Sequence, residues 1–254
     1  MPKIYFRFLR IKKWYIVTAI LVVAVAIVGV RAASDRVSQK NIEALSWSVA
    51  NKVIVIDAGH GGPDPGAVGK SGSIEKDIVL VLSKRLKEIF SHSGAQVIMT
   101  RDNDQHINDD AKTSLDSKKV DELKQRVVIA NKKKADIVLS IHVNAFPAGN
   151  YRGSQVFYQR GSEKSKELAE DIQGELTRIL QNTDRLVEPH DTYIMRESKM
   201  PAVTVEVGFI SNPDEEKLLM DKNYQGKMAW AIYAGVVKYF ADKTVPQEDK
   251  KSVR

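Results

Sequence analysis

Residues 53–69 read VIVIDAGHGGPDPGAVG. Val53, Ile54, Val55 and Ile56 show no polar alternation, which predicts a short strand buried on both faces, as in a parallel sheet covered by helices. Asp57, a lone His60 and five glycines follow by Gly69, and that is loop chemistry at the carboxyl end of a strand. Open α/β sheets hold their ligands in that crevice. An imidazole placed there, with little side-chain bulk around it, has room to approach a metal or a substrate. A turn bearing a surface histidine fits the same residues, so the rest of the chain has to decide.

Moving outward, residues 74–90 (IEKDIVLVLSKRLKEIF) put Ile78, Leu82, Leu86 and Ile89 at helical spacing. Ser73 is the expected cap, Glu75 falls in the first turn where the helix dipole favours a carboxylate, and Gly94 is the stop. Residues 96–100 (QVIMT) form a second strand, giving a βαβ unit. The polar stretch 103–119 is expected as a surface loop and 121–134 as a helix. Residues 136–143 (DIVLSIHV) are a further buried strand, ending at His142 and Asn144. A strand over 154–159, an amphipathic helix over 163–181, a strand over 202–209 carrying Glu206, and a closing helix over 224–241 complete the order. The alternation predicts an α/β fold: one domain with a twisted, mostly parallel central sheet flanked by helices.

The N-terminus is organised differently. Residues 14–30 (WYIVTAILVVAVAIVGV) are apolar and bounded by Lys12, Lys13 and Arg31. Seventeen helical residues rise roughly 26 Å, close to the ~30 Å hydrocarbon core. Basic residues upstream predict a cytoplasmic N-terminus and an extracytoplasmic body, whether the segment is a membrane anchor or a cleaved signal. The expected layout is a basic and apolar anchor or signal segment over 1–31, a polar linker over 32–51, a catalytic domain over 52–242 and a polar tail over 243–254. The formal charge of +7 stems from this segment: without its six bases the chain holds 33 bases against 32 acids. A nucleic-acid partner is therefore not expected. The absence of cysteine excludes disulfides, thiolate nucleophiles and cysteine-based zinc sites.

The ionisable residues gathered near the carboxyl edge of the sheet are Asp57, His60, Glu75, His142 and Glu206. Two imidazoles and one carboxylate make the ligand set of a catalytic zinc, and a further carboxylate would accept the proton of the attacking water. No HExxH pair occurs, so the ligands must come from separate elements. Glu75 also fits a plain first-turn carboxylate, and His142 a satisfied strand-end histidine. Glu206 is harder to dismiss, because a carboxylate within VTVEVGF is costly to bury unpaired. His92, His106 and His190 are expected to be solvated.

At these residues the chain resembles the zinc-dependent N-acetylmuramoyl-L-alanine amidases of cell-wall metabolism. The similar segments are VIVIDAGHGGPDPGAVG, IEKDIVLVLSKRL, VIMTRDND, ADIVLSIHVNA and PAVTVEVGFISNPDEEKLL, spanning about 53–240. The resemblance implies that His60, Glu75 and His142 bind Zn²⁺ and that Glu206 is the catalytic base. It implies peptidoglycan as substrate and leaves open an activating partner protein. Ala58 departs from the family, where proline is frequent, and touches no expected ligand. Within the family, TSLDSKKVDELKQRV, TYIMRESKMPAVTVEVGFISNP and the lone N-terminal apolar segment look most like the sporulation amidases that act on spore cortex. Some members carry a blocking helical insertion after the second histidine strand; only 146–152 fills that place here, too short for one.

Other readings weigh less. GAVGKS at 66–71 suggests a P-loop, but the Walker pattern needs glycine where Asp64 stands, and a carboxylate would repel phosphate. A serine hydrolase lacks its G-x-S-x-G elbow. A vegetative autolysin of the same family and a wall-binding module without activity remain as alternatives.

Overall fold

The computed structural model describes residues 12–104 and 115–244. They form two compact units, divided after Ala44. The first is built on α1 (Lys13–Leu45), with its side chains from Trp14 to Val30 exposed. By length and composition this helix is long and apolar enough to cross a membrane. It runs on past Arg31 through most of the stretch expected as a polar, weakly helical linker. With no Pro or Gly beyond Gly29, the helix continues, supported by Gln39 Nε2 donating to Glu43 Oε1 at 3.2 Å.

The second unit starts at Leu45, ahead of the expected boundary at 52. Residues 46–49 form a turn of 3₁₀ helix in which Val49 is fully buried and Ser48 Oγ donates to the Val237 carbonyl at 3.0 Å. The strands are β1 (Val53–Ala58), β2 (Gln96–Met99), β3 (Ile137–Asn144), β4 (Gln155–Gln159), β5 (Glu188–His190) and β6 (Ala202–Phe209). They lie in the order β2-β1-β3-β6-β4-β5. β2, β1, β3 and β6 are mutually parallel, β4 runs antiparallel to β6, and β5 is parallel to β4.

The helices are α2 (Glu75–His92), α3 (Leu115–Lys132), α4 (Glu163–Leu180), α5 (Tyr193–Glu197), α6 (Pro213–Met220) and α7 (Lys222–Thr244). Ile54, Val55 and Ile56 are fully buried, as two-sided burial of β1 requires. One layer of the core joins Val55 and Val138 to Val127 and Ala130 of α3 and Ile194 and Met195 of α5. α4 packs on α7, and its Leu168, Ile172 and Leu176 are all fully buried, each worth about 1.5–3 kcal/mol. Gly235 lets the two helices meet, since a Cβ there would sit 2.4 Å from the Ile172 Cα.

Several local expectations differ from the structure. Ser73 does not cap α2: the cap residue is Ile74, with no side-chain bond, and Ser73 Oγ instead donates to Glu216 Oε1 at 2.6 Å. Residues 115–119, expected in a surface loop, belong to α3, while 105–114 lie outside the described residues, His106 among them. α3 ends at Lys132, two residues early. β5, α5 and α6 were not expected, the first two being too short to show a period. α6 had a legible start: Asn212 accepts from the amides of Asp214 and Glu215, with Pro213 in the first turn. α7 continues to Thr244, and 245–254 are outside the described residues. Residues 145–154, between β3 and β4, contain no helix.

Candidate active site and metal centre

The carboxyl ends of β1, β3 and β6 are adjacent in the sheet, and the site stands on them. Register pairs Asp57 with Ser140 and His142 with Glu206, so these side chains share one face. Past β1 the chain turns sharply, and His60 takes a left-handed backbone, φ 59°. Such a conformation in a residue other than glycine costs of the order of 1 kcal/mol and persists only where the surroundings enforce it. Two glycines supply room. A Cβ at Gly59 would lie 2.3 Å from the His142 ring, and one at Gly66 2.6 Å from Glu75 Oε2.

α2 brings its first residue, Glu75, over the sheet edge. Glu75 Oε1 lies 3.2 Å from His60 Nε2 and 3.1 Å from His142 Nδ1, and the donor atoms of the three residues fall within 4.8 Å of one another. The Val143 amide donates to the same oxygen at 2.9 Å, and the Ala67 amide donates to Oε2 at 2.8 Å. Burial alone would raise the Glu75 pKa; hydrogen bonds from both histidines outweigh it and hold the carboxyl well below the usual range. His60 Nδ1 sits 2.9 Å from Asp64 Oδ2, which directs Nε2 toward Glu75. Burial lowers the His60 pKa, but Glu75 and Asp64 more than offset it and leave it above its ordinary value. Two imidazoles and an ionised carboxylate, converging from three elements, fit a zinc ion with a position left open.

Glu206 stands beside this cluster and outside it. Its Oε2 is buried without a hydrogen-bond partner. Burial pushes its pKa up to about 7; His142 and His60 pull it down, and the charge of Glu75 adds to the rise. The four residues singled out in the sequence thus meet. Asp57 does not join them. It is a buried anchor, bonded to Ser140 Oγ at 2.6 Å, Thr100 Oγ1 at 2.7 Å and Arg126 Nη1 at 2.7 Å. Burial raises its pKa, and Arg126 with these hydroxyls and His142 brings it down to about 2. His92 and His190 are exposed, as expected.

Sequence reasoning missed the supports. Arg126 donates to the Ala58 carbonyl at 2.7 Å and to the His60 carbonyl at 2.6 Å, and pairs with Glu122. Arg101 donates to the carbonyls of Ala58, Gly59 and Lys76, at 2.9, 2.8 and 2.8 Å. Two guanidinium groups therefore clamp the loop that carries His60. Only the presence of Arg101 in VIMTRDND, one of the segments that resemble the family, hinted at the second of them. A cavity of about 270 Å³ opens beside the histidines, lined by Leu123, Tyr193, Ile194 and Thr204 among others.

Comparison with known proteins agrees with this geometry. Residues 54–238 match the family model described as N-acetylmuramoyl-L-alanine amidase. The chain is 40% identical over 205 residues to the germination-specific N-acetylmuramoyl-L-alanine amidase of Bacillus subtilis, covering 80% of this chain and 86% of the relative. It is 35% identical to the amidase LytC of the same organism, spanning 84% of this chain but 42% of that larger protein. Among solved structures, the CwlD amidase of Clostridioides difficile, in complex with the GerS lipoprotein, shares 42% identity and a TM-score of 0.73, over 74% of this chain and 98% of that one. By sequence and by fold, the chain belongs to the N-acetylmuramoyl-L-alanine amidase family.

Proposed function

We propose that this chain is a zinc hydrolase that cleaves the amide between N-acetylmuramic acid and the L-alanine of peptidoglycan stem peptides, acting in spore cortex. The observation that carries the chemistry is the pairing of a three-donor cluster, His60, Glu75 and His142, with Glu206, whose Oε2 is buried without a hydrogen-bond partner. When bound, zinc would polarise the amide carbonyl and acidify a water. Glu206 takes the proton of the attacking water and delivers it to the leaving amine nitrogen. A base with pKa near the working pH suits both halves of that task. Glu75, held ionised by His142 and His60 and positioned by the amides of Val143 and Ala67, stays a ligand, and Asp64 fixes the His60 tautomer.

The cortex assignment is supported by the 40% identity to the germination-specific relative. Removing whole stems leaves bare muramic acid, which a deacetylase could convert to muramic δ-lactam. α1 is read as an anchor or signal that places the catalytic unit outside the cytoplasm. The C. difficile complex supports a lipoprotein partner for this chain too, and co-purification from sporulating cells tests it.

The main test is digestion of purified peptidoglycan by the zinc-loaded chain. Free peptides beginning with L-alanine and uncut glycan chains are expected. New reducing sugar ends would mean a glycosidase and refute the reading. In a deletion strain, cortex should lack muramic lactam; normal lactam would remove the cortex role and leave the amidase.

A further inference from the structure

Beyond the candidate metal centre, one strand step along the sheet, a cationic rim is built on aromatic rings. Two residues of β3 here oppose three of β6, a bulge that pairs Asn144 with Phe209. Phe209 therefore lies about 7 Å along the strand from the His142–Glu206 pair. The Arg185 guanidinium sits over the Phe209 ring at 5.0 Å and over Tyr151 at 5.7 Å. Its Nε donates to the Arg152 carbonyl and its Nη1 to Gln155 Oε1, both at 3.3 Å. Gln155 is the residue of β4 opposite Glu206. A single side chain thus joins this guanidinium to the strand position of the base.

The rim is held in place before any ligand arrives. Phe146 N–H donates to Ser211 Oγ at 3.0 Å, Asn212 Nδ2 to the Tyr151 carbonyl at 3.1 Å, and Gly153 N–H to Glu215 Oε1 at 2.8 Å. Glu215 is committed to backbone amides, since its Oε2 takes the Phe209 N–H at 2.8 Å. Among the described residues, neither Arg152 nor Arg185 has a carboxylate within 4.0 Å, the charges of both reach Glu215 only through space, and Arg185 Nη2 makes no hydrogen bond. They line an open groove of about 420 Å³ together with Asn150, Tyr151 and the exposed Asp184. Stacking on two rings keeps Arg185 ordered while leaving an edge of its donor fork for a carboxylate.

We propose that this rim is a specificity subsite: Arg185, assisted by Arg152, binds the free α-carboxylate of the second stem residue. This rests on the amidase reading above. The substrate decides which half faces the rim. The glycan is neutral, because the lactyl carboxyl of muramic acid is consumed in the scissile amide, whereas the stem is anionic. Its second residue, a glutamate linked through its side-chain carboxyl, presents an α-carboxylate about two residues from the scissile nitrogen. Two extended residues span about 7 Å, the offset of the rim from Glu206. The neutral sugar is left to the cavity on the Tyr193 and Ile194 side.

The test uses the full zinc-loaded chain in non-ionic detergent and a matched pair of substrates. One is disaccharide-L-alanyl-D-glutamate; the other is its D-isoglutamine counterpart, in which a carboxamide replaces the α-carboxylate. The acid should be preferred in kcat/KM by about 10- to 100-fold, mainly through KM, the range of a hydrogen-bonded charge pair. Arg185→Gln should bring that ratio close to one, and Arg185→Lys should restore part of it. Arg152→Gln, at an exposed side chain, should lower the ratio without disturbing the stack. A wild-type ratio near one, or a ratio unchanged in Arg185→Gln, overturns the proposal. Calorimetry with the two free dipeptides reads the same preference without turnover. Failure of both substrates to react, with the dipeptide preference intact, would sink the amidase reading and leave the subsite.

Discussion

Replacing Glu206 by glutamine separates the two carboxylates of the site. Glu206 lies outside the cluster of His60, Glu75 and His142, so the variant should bind zinc at the wild-type stoichiometry. Turnover should fall by roughly 10²–10⁴, or about 2.7–5.5 kcal/mol of barrier, the usual worth of a general base. A second consequence concerns stability of the metal-free protein. Burial lifts the Glu206 pKa from 4.5 to about 7. Below pH 4.5 both folded and unfolded chains carry the proton, and glutamine is a fair isostere. As pH rises, the unfolded chain ionises first while the folded one holds its proton until about 7. Wild type therefore loses stability across that window, by at most roughly 3–4 kcal/mol, and the glutamine variant does not.

Urea unfolding of metal-free wild type and Glu206→Gln at pH 4 and pH 8 measures the difference. The two should match at pH 4, and the variant should be the more stable at pH 8. Zinc analysis and peptide release from peptidoglycan complete the assay. Loss of zinc in Glu206→Gln would refute the assignment of roles. Equal stability at pH 8 would show that the ionised carboxylate already has a partner or ready access to water.

His60→Ala and His142→Ala should each lose the metal, and zinc content after dialysis reads that directly. Arg126→Met leaves Asp57 charged and unpaired in the interior, which should cost about 3–5 kcal/mol by denaturant unfolding. The Asp57 pKa of about 2 against an ordinary 3.8 makes its contribution full above pH 4 and lost as pH falls toward 2; Asp57→Asn should flatten that acid limb. Protease added outside protoplasts should digest the catalytic unit while residues before Trp14 stay protected, and a unit protected until lysis would contradict the topology.

The elements that were legible in the sequence are those with a period long enough to see. The all-apolar run of β1, the 3–4 spacing of Ile78, Leu82, Leu86 and Ile89, and the carboxylate within VTVEVGF each follow from local physics. They place His60, Glu75, His142 and Glu206, because strand ends and a helix start are local features. What failed was tertiary. Ser73 has the chemistry of a cap but is claimed by Glu216, 143 residues away in sequence. Arg101 and Arg126 look like surface charge until the fold brings the carbonyls of Ala58, Gly59, His60 and Lys76 within their reach, and no pattern local to either residue encodes that.

Glu75 and Glu206 are the same residue in one small site, and their surroundings drive them apart. Glu75 opens a helix, where the dipole and the amides of Ala67 and Val143 reward negative charge. Glu206 lies mid-strand, its backbone committed to the ladder and its Oε2 without a donor. One carboxylate is thus held ionised and the other holds a proton to about neutrality. The difference in charge follows from what surrounds each residue, two imidazoles at Glu75 and burial at Glu206, and it is what the proposed roles of ligand and base require. Exchanging the two roles would require moving a helix start, which no single substitution does. The arginine clamp follows the same logic. A histidine with a left-handed backbone relaxes unless its carbonyl is held, and Arg126 holds it. The strain at His60 and the charge pair buried with Arg126 are two parts of one device, and loosening either should release the imidazole before it unfolds the sheet.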